Sequence, residues 1–158
     1  CINTLPPKYY KVLQAKGIKC AAFNPFRPIM SVVMNNRDHR KIFVVDGKVG
    51  FTGGINLADE YINVASRFGY WKDTGIRLEG DAVWSMTTMF LEMWNYINHS
   101  SEDYKQFMPQ VYQKAPFEED GYVQPYGDTP LDHETVGENI YLNIINHAER
   151  YVYILRRI

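Results

Sequence analysis

The stretch that most constrains the fold is Lys41-Ile42-Phe43-Val44-Val45 followed by Asp46-Gly47 and then Val49-Gly50-Phe51-Thr52. β-Branched and aromatic side chains fit a pleated, half-buried surface, so both arms read as strands. Asp-Gly reverses a chain within two residues because both positions accept a positive φ. A β-hairpin is therefore expected. Along its first arm, strand alternation puts His39, Lys41, Phe43 and Val45 on one face and Arg40, Ile42, Val44 and Asp46 on the other.

That alternation places an imidazole beside an ammonium at the open end of a strand, a pairing suited to an anion. Past the second arm, Gly53-Gly54 would let a ligand approach the backbone closely, and the Asn56 amide can donate a hydrogen bond. Phosphoryl chemistry is the reading these ingredients favour. The plain alternative is a buried hairpin carrying a solvated histidine and lysine.

His39-x-Lys41, then Asp46, then Gly53-Gly54-x-Asn56 resembles the signature of the phospholipase D superfamily in both residue types and spacing. The flanks Asn36-Arg37-Asp38, Leu57-Ala58-Asp59-Glu60-Tyr61 and Trp71-Lys72-Asp73 resemble bacterial cardiolipin synthases. The likeness covers nearly the whole chain, and it is strongest to the first catalytic half of those enzymes. It implies an α/β fold, a mixed sheet flanked by helices, with one catalytic half and the start of a second.

Length and charge set limits on this reading. The 158 residues suffice for a core, with 46% hydrophobic and 15% aromatic side chains. A formal net charge of −1 provides no overall field for nucleic acid, so no nucleic-acid partner is expected. Cys1 and Cys20 have neither metal nor redox spacing, and free thiols are expected. No apolar run is long enough to span a bilayer, and no signal peptide is evident. The chain opens on Cys1 and reads as a soluble piece of a longer polypeptide, which would reach the bacterial cell membrane through segments absent here.

In chain order, Leu5-Pro6-Pro7 starts a helix that Gly17 closes, and Ile18 to Phe23 reads as a strand beside the hairpin in a parallel layer. Leu57 to Tyr61 suggests a helical turn and 62–70 a surface loop, with Phe68, Tyr70 and Trp71 packing under it or touching lipid. Asp73 to Glu79 reads as a strand. Asp81 should cap a helix from Ala82 to about Asn98, with Val83, Met86, Phe90, Trp94 and Ile97 inward. The expected organisation is 1–99 as the first catalytic half, 100–119 as a connection and 120–158 as the beginning of a second half. In that last part Gly121 to Pro125 and Tyr151 to Leu155 read as strands around a helix from Thr135 to Ala148, and Gly127 to Asp132 resembles the lead-in to the family's second half.

The resemblance implies phosphatidyl transfer through a phosphohistidine, with two phosphatidylglycerols condensing to cardiolipin and glycerol. It assigns His39 as nucleophile, Asp73 as the acceptor fixing the His39 tautomer, and Lys41 with Asn56 as holders of the phosphate oxygens beside Gly53 and Gly54. Asp46 completes the motif, though its strand face suits an ion pair or turn hydrogen bonds better than catalysis. No cofactor and no metal are required. A complete site of this kind uses a second His-x-Lys, but His99, His133 and His147 are followed two residues on by Ser101, Thr135 and Glu149. The chain alone is thus expected to be inactive or to work as a homodimer. The alternatives are a single-motif homodimeric phosphodiesterase or nuclease of the same superfamily, and a non-catalytic module binding phosphate or anionic lipid.

Overall fold

A computed structural model describes residues 5–23, 38–66, 69–110, 121–128 and 133–154. They fall into two compact units, Cys1–Val123 and Gln124–Ile158. In the first, helix α1 (Tyr9–Ala15) precedes strands β1 (Phe43–Val45), β2 (Val49–Gly53) and β3 (Gly75–Glu79), helix α2 (Ala82–Asn98) and a 3-10 turn at Tyr104–Phe107. Helix α3 (Val136–Asn146) belongs to the second.

The hairpin forms as its sequence dictates. Asp46 and Gly47 take φ of 53° and 66°, and the Lys48 amide closes the turn on the Val45 carbonyl at 3.0 Å. Gly47 is needed here twice over, since a Cβ would also stand 2.9 Å from the Phe107 carbonyl oxygen. β2 is the central strand of a three-stranded antiparallel sheet, registering Val44 and Leu78 on Gly50, and Phe43 and Arg77 on Phe51. β1 begins only at Phe43, so His39 and Lys41 precede the paired residues instead of belonging to them.

Helix α2 lies on the Val44–Gly50–Leu78 side. Gly50 makes room for it: a Cβ there would come within 2.8 Å of Met86 Sδ and 3.6 Å of Val83 Cγ1. Val83, Met86 and Leu91 form the buried apolar core, joined by Thr87, whose hydroxyl donates to the Val83 carbonyl at 2.9 Å. The expected stripe of Val83, Met86, Phe90, Trp94 and Ile97 is therefore buried only at its first two positions. Lengths explain the shortfall. A 17-residue helix runs about 25 Å and a 5-residue strand about 17 Å, so the sheet covers the early turns of α2 and not the late ones. Phe90 stays 48% exposed and stacks on Trp94, with ring centroids 6.2 Å apart.

Several expectations need correction. Asp81 occupies the N-cap position of α2, but its side chain makes no capping hydrogen bond; Val83 and Trp84 N–H groups bond instead to the Gly80 and Asp81 carbonyls. Ile18 to Phe23 is not a strand and forms no parallel layer. Among the described residues it has no ladder partner; the Gln14 side chain donates to the Cys20 carbonyl at 2.7 Å, and Ile18–Cys20 border a shallow cleft with Trp94 and Asn98. Gly121 to Pro125 and the described part of Tyr151 to Leu155 are likewise not strands. Phe68 and residues 129–132 lie outside the described residues.

In the second unit α3 takes its cap from a distance. Thr135 does not cap it; Asp128 Oδ1 accepts the Gly137 N–H at 2.9 Å, and Glu138 in the first turn suits the positive helix end. At the other end His147 Nδ1 lies 2.9 Å from the Asn143 carbonyl, which can only accept, so that nitrogen carries the proton.

Candidate active site

The ends of the strands gather three of the expected site residues. Asp73, two residues before β3, faces Gly54, one residue after β2. A Cβ on Gly54 would stand 2.6 and 2.7 Å from the two Asp73 carboxylate oxygens. A Cβ on Gly53 would stand 2.8 Å from the Thr74 carbonyl oxygen. The close approach that the glycine pair permits is thus taken up by the chain itself, chiefly by the Asp73 carboxylate. Lys41 lies within electrostatic reach of that carboxylate, and its ammonium donates to the His39 carbonyl oxygen at 2.6 Å.

Asp73 is heavily supplied with donors. Trp71 Nε1 donates to Oδ2 at 3.1 Å and the Thr74 amide to Oδ1 at 2.7 Å. The indole hydrogen bond, then the Thr74 and Gly54 amides and the Lys41 charge, hold the Asp73 carboxyl below its ordinary range, against a smaller opposing effect of burial. Among the described residues no hydrogen bond joins Asp73 to the His39 ring. The carboxylate is turned toward Trp71, Thr74 and Gly54 instead.

His39 is exposed and directly follows Asp38. Arg40 closes on Asp38 through both carboxylate oxygens, each at 3.0 Å, and through its backbone amide at 2.9 Å. Burial pushes the Asp38 carboxyl up, but the Arg40 hydrogen bonds and charge, with His39, outweigh it and hold the group low. Asp46 sits exposed in the hairpin turn, away from the strand ends that carry Gly54 and Asp73.

Asn56 is directed by Tyr61, a flank residue with no expected part in the site. Its Nδ2 donates to the Tyr61 hydroxyl at 2.7 Å, which leaves one amide hydrogen for another acceptor. The Tyr61 ring meets Trp71 edge-on, with centroids 4.5 Å apart. Asn63, at φ 60°, grips Trp71 by its backbone, accepting from its N–H at 2.6 Å and donating to its carbonyl at 2.9 Å. The five-residue spacing of Asn56 and Tyr61 gave no signal, being neither strand nor helix periodicity. Trp71 was legible as packing beneath the loop; its bond to Asp73 was not. No group of three or more histidine, cysteine or carboxylate side chains with metal-binding geometry occurs among the described residues.

No family model matches the chain. No solved structure matches it. Curated relatives do. An uncharacterized protein of Streptococcus mutans is 54% identical over 157 residues, covering 98% of this chain and 33% of its own length. A cardiolipin synthase of Oceanobacillus iheyensis is 35% identical over 152 residues, 96% of this chain and 31% of that enzyme. Cardiolipin synthase 1 of Bacillus cereus is 32% identical over 157 residues, again 96% of this chain and 31% of the enzyme. Over nearly its whole length the chain is thus homologous to enzymes named cardiolipin synthase, which belong to the phospholipase D superfamily. It spans about a third of the length of these curated relatives.

Proposed function

We propose that this chain carries the nucleophile and one phosphate-holding arm of a phosphatidyl-transfer site, in the first catalytic half of a cardiolipin synthase. The observation that carries the reading is that Gly54 and Asp73, remote in sequence, meet at the ends of β2 and β3 within electrostatic reach of Lys41, whose ammonium bonds the His39 carbonyl. An exposed imidazole, an ammonium bonded to the backbone carbonyl of the same residue and a second amide hydrogen on Asn56 suit attack on a phosphodiester.

A ring nitrogen of neutral His39 attacks phosphorus of phosphatidylglycerol. The bond from phosphorus to the glycerol headgroup oxygen breaks, and that oxygen takes the electron pair and a proton from a general acid. A hydroxyl of a second phosphatidylglycerol then displaces the histidine, passing its proton back, and cardiolipin leaves. Lys41 offsets charge on the non-bridging oxygens, and Asn56 donates to one of them. The general acid belongs to a second His-x-Lys, which His99, His133 and His147 do not supply. Residues 120–158 are read as the start of the half that carries it, in a phospholipase D-like fold acting at the bacterial membrane. No helix among the described residues is long and apolar enough to cross a membrane.

The test is His39→Ala in the full-length protein, assayed on phosphatidylglycerol vesicles with acid quenching to trap phosphoenzyme. Loss of both cardiolipin formation and the trapped species, with the melting temperature retained, is expected. Retained activity with a trapped phosphoenzyme would overturn the assignment of the nucleophile.

A further inference from the structure

We propose that Tyr61 and Trp71 are positioning residues: an aromatic strut that ties the Asn56 amide to the Asp73 carboxylate, so that the two polar arms of the site move as one. The inference rests on the reading of Asn56 and Asp73 as site residues and adds what holds them.

The bonds form a continuous path. Asn56 donates to the Tyr61 hydroxyl at 2.7 Å, the Tyr61 ring meets the Trp71 ring at 4.5 Å, and the Trp71 indole donates to Asp73 at 3.1 Å. Tyr61 and Trp71 are both half-buried, while the loop between them is exposed at Ile62, Val64 and Tyr70. The loop tip is thus not what fixes the site. The fixing comes from Asn63, which binds the Trp71 backbone on both sides as a neighbouring strand would. An amide rotates freely about its last torsion, and a carboxylate flips between faces; a site that must meet a phosphate needs both held before the substrate arrives. One hydroxyl and one indole nitrogen hold these two groups, and a T-shaped ring contact couples them. Packing alone would need only the rings. The two polar atoms at their ends, each on a different site residue, are what the packing reading leaves unexplained.

Tyr61→Phe and Trp71→Phe keep aromatic rings and delete the donor or acceptor. In the full-length protein acting on phosphatidylglycerol vesicles, Tyr61→Phe should raise KM about three- to tenfold with kcat little changed, the size of one neutral hydrogen bond. It should have no further effect on KM in an Asn56→Ala background. Trp71→Phe should lower kcat about tenfold or more, as its hydrogen bond is to a charged group. A Tyr61→Phe effect of equal size with and without Asn56 would overturn the strut. A second readout needs no turnover. In proton–nitrogen spectra of the 158-residue chain, the indole resonance that Trp71→Phe removes should shift on Asp73→Asn and, by a smaller amount, on Tyr61→Phe. An indole resonance indifferent to Asp73→Asn would overturn the strut whatever the activity. An active His39→Ala enzyme with the indole response intact would overturn the reaction assignment and leave the strut standing.

Discussion

Gly54 and Asp73 stand so close that a Cβ on the glycine would lie 2.6 Å from one carboxylate oxygen and 2.7 Å from the other. Glycine at 54 is therefore a spatial requirement set by a residue 19 positions later, and the pair joins the end of β2 to the approach of β3. Gly54→Ala should push the carboxylate away from the Trp71 and Thr74 donors. An ångström of misplacement in such a site costs on the order of 100-fold in rate. The expected result is that loss in kcat for phosphatidyl transfer by the full-length protein, with a small change in melting temperature because Gly54 is exposed. A variant that melts normally and turns over normally would show that the approach is idle.

The donors around Asp73 fix the sign of a pH effect. Its folded pKa lies below the ordinary value, through the Trp71 indole first and then Thr74, Gly54 and Lys41. The ionised carboxylate therefore stabilises the folded chain above the unfolded pKa. That contribution fades as pH falls through the lowered folded value. A carboxyl-carbon titration should place the Asp73 midpoint below the ordinary aspartate value, and Trp71→Phe should bring it upward. A midpoint unmoved by Trp71→Phe would show that the indole is not its main partner.

The hairpin, β3 and α2 were legible because their signals are local. Asp46-Gly47 sets its own turn, and α2 runs from Ala82 to Asn98 as its composition and spacing suggest. Which part of α2 is covered was not legible, because it depends on how far the sheet extends beside it. That decides in favour of Thr87 and Leu91 and leaves Phe90 half outside. Ile18 to Phe23 has strand composition, but a strand exists only with a partner, and its partner is not encoded within those residues. The site divides in the same way. His39, Lys41 and Asn56 stand out as candidates by type and spacing and Asp73 only through the resemblance, whereas the Tyr61 hydroxyl and Trp71 indole show their contacts only once the loop between them is folded.

Gly50 and Met86 supply a test of the core. A Cβ at 50 meets Met86 Sδ at 2.8 Å, the outer part of a flexible side chain, so Gly50→Ala should force Met86 off its preferred packing and cost about 1–3 kcal/mol. Met86→Ala, at a site only 3% exposed, should cost about 2–5 kcal/mol by opening a cavity. The double variant should be more stable than the sum predicts, since the new methyl enters the space the methionine leaves. Urea melts of the four proteins measure this directly. Strict additivity would mean that the two residues do not share the space.

The 158-residue chain by itself should not turn over phosphatidylglycerol as a monomer, because in the proposed mechanism one histidine cannot both attack phosphorus and protonate the departing oxygen on the opposite side. No other histidine of the chain stands two residues before a lysine. Two copies related by a two-fold axis would supply a second histidine if the segments bearing His39 faced one another, and such an interface is self-complementary by construction. Any activity should therefore vary with the square of protein concentration at low concentration and vanish on dilution. Mixing His39→Ala chains with unaltered ones in excess should suppress it further, because each mixed pair would retain a single nucleophile and no general acid. Turnover proportional to chain concentration down to the limit of detection would mean that a group other than a second His39 protonates the leaving oxygen.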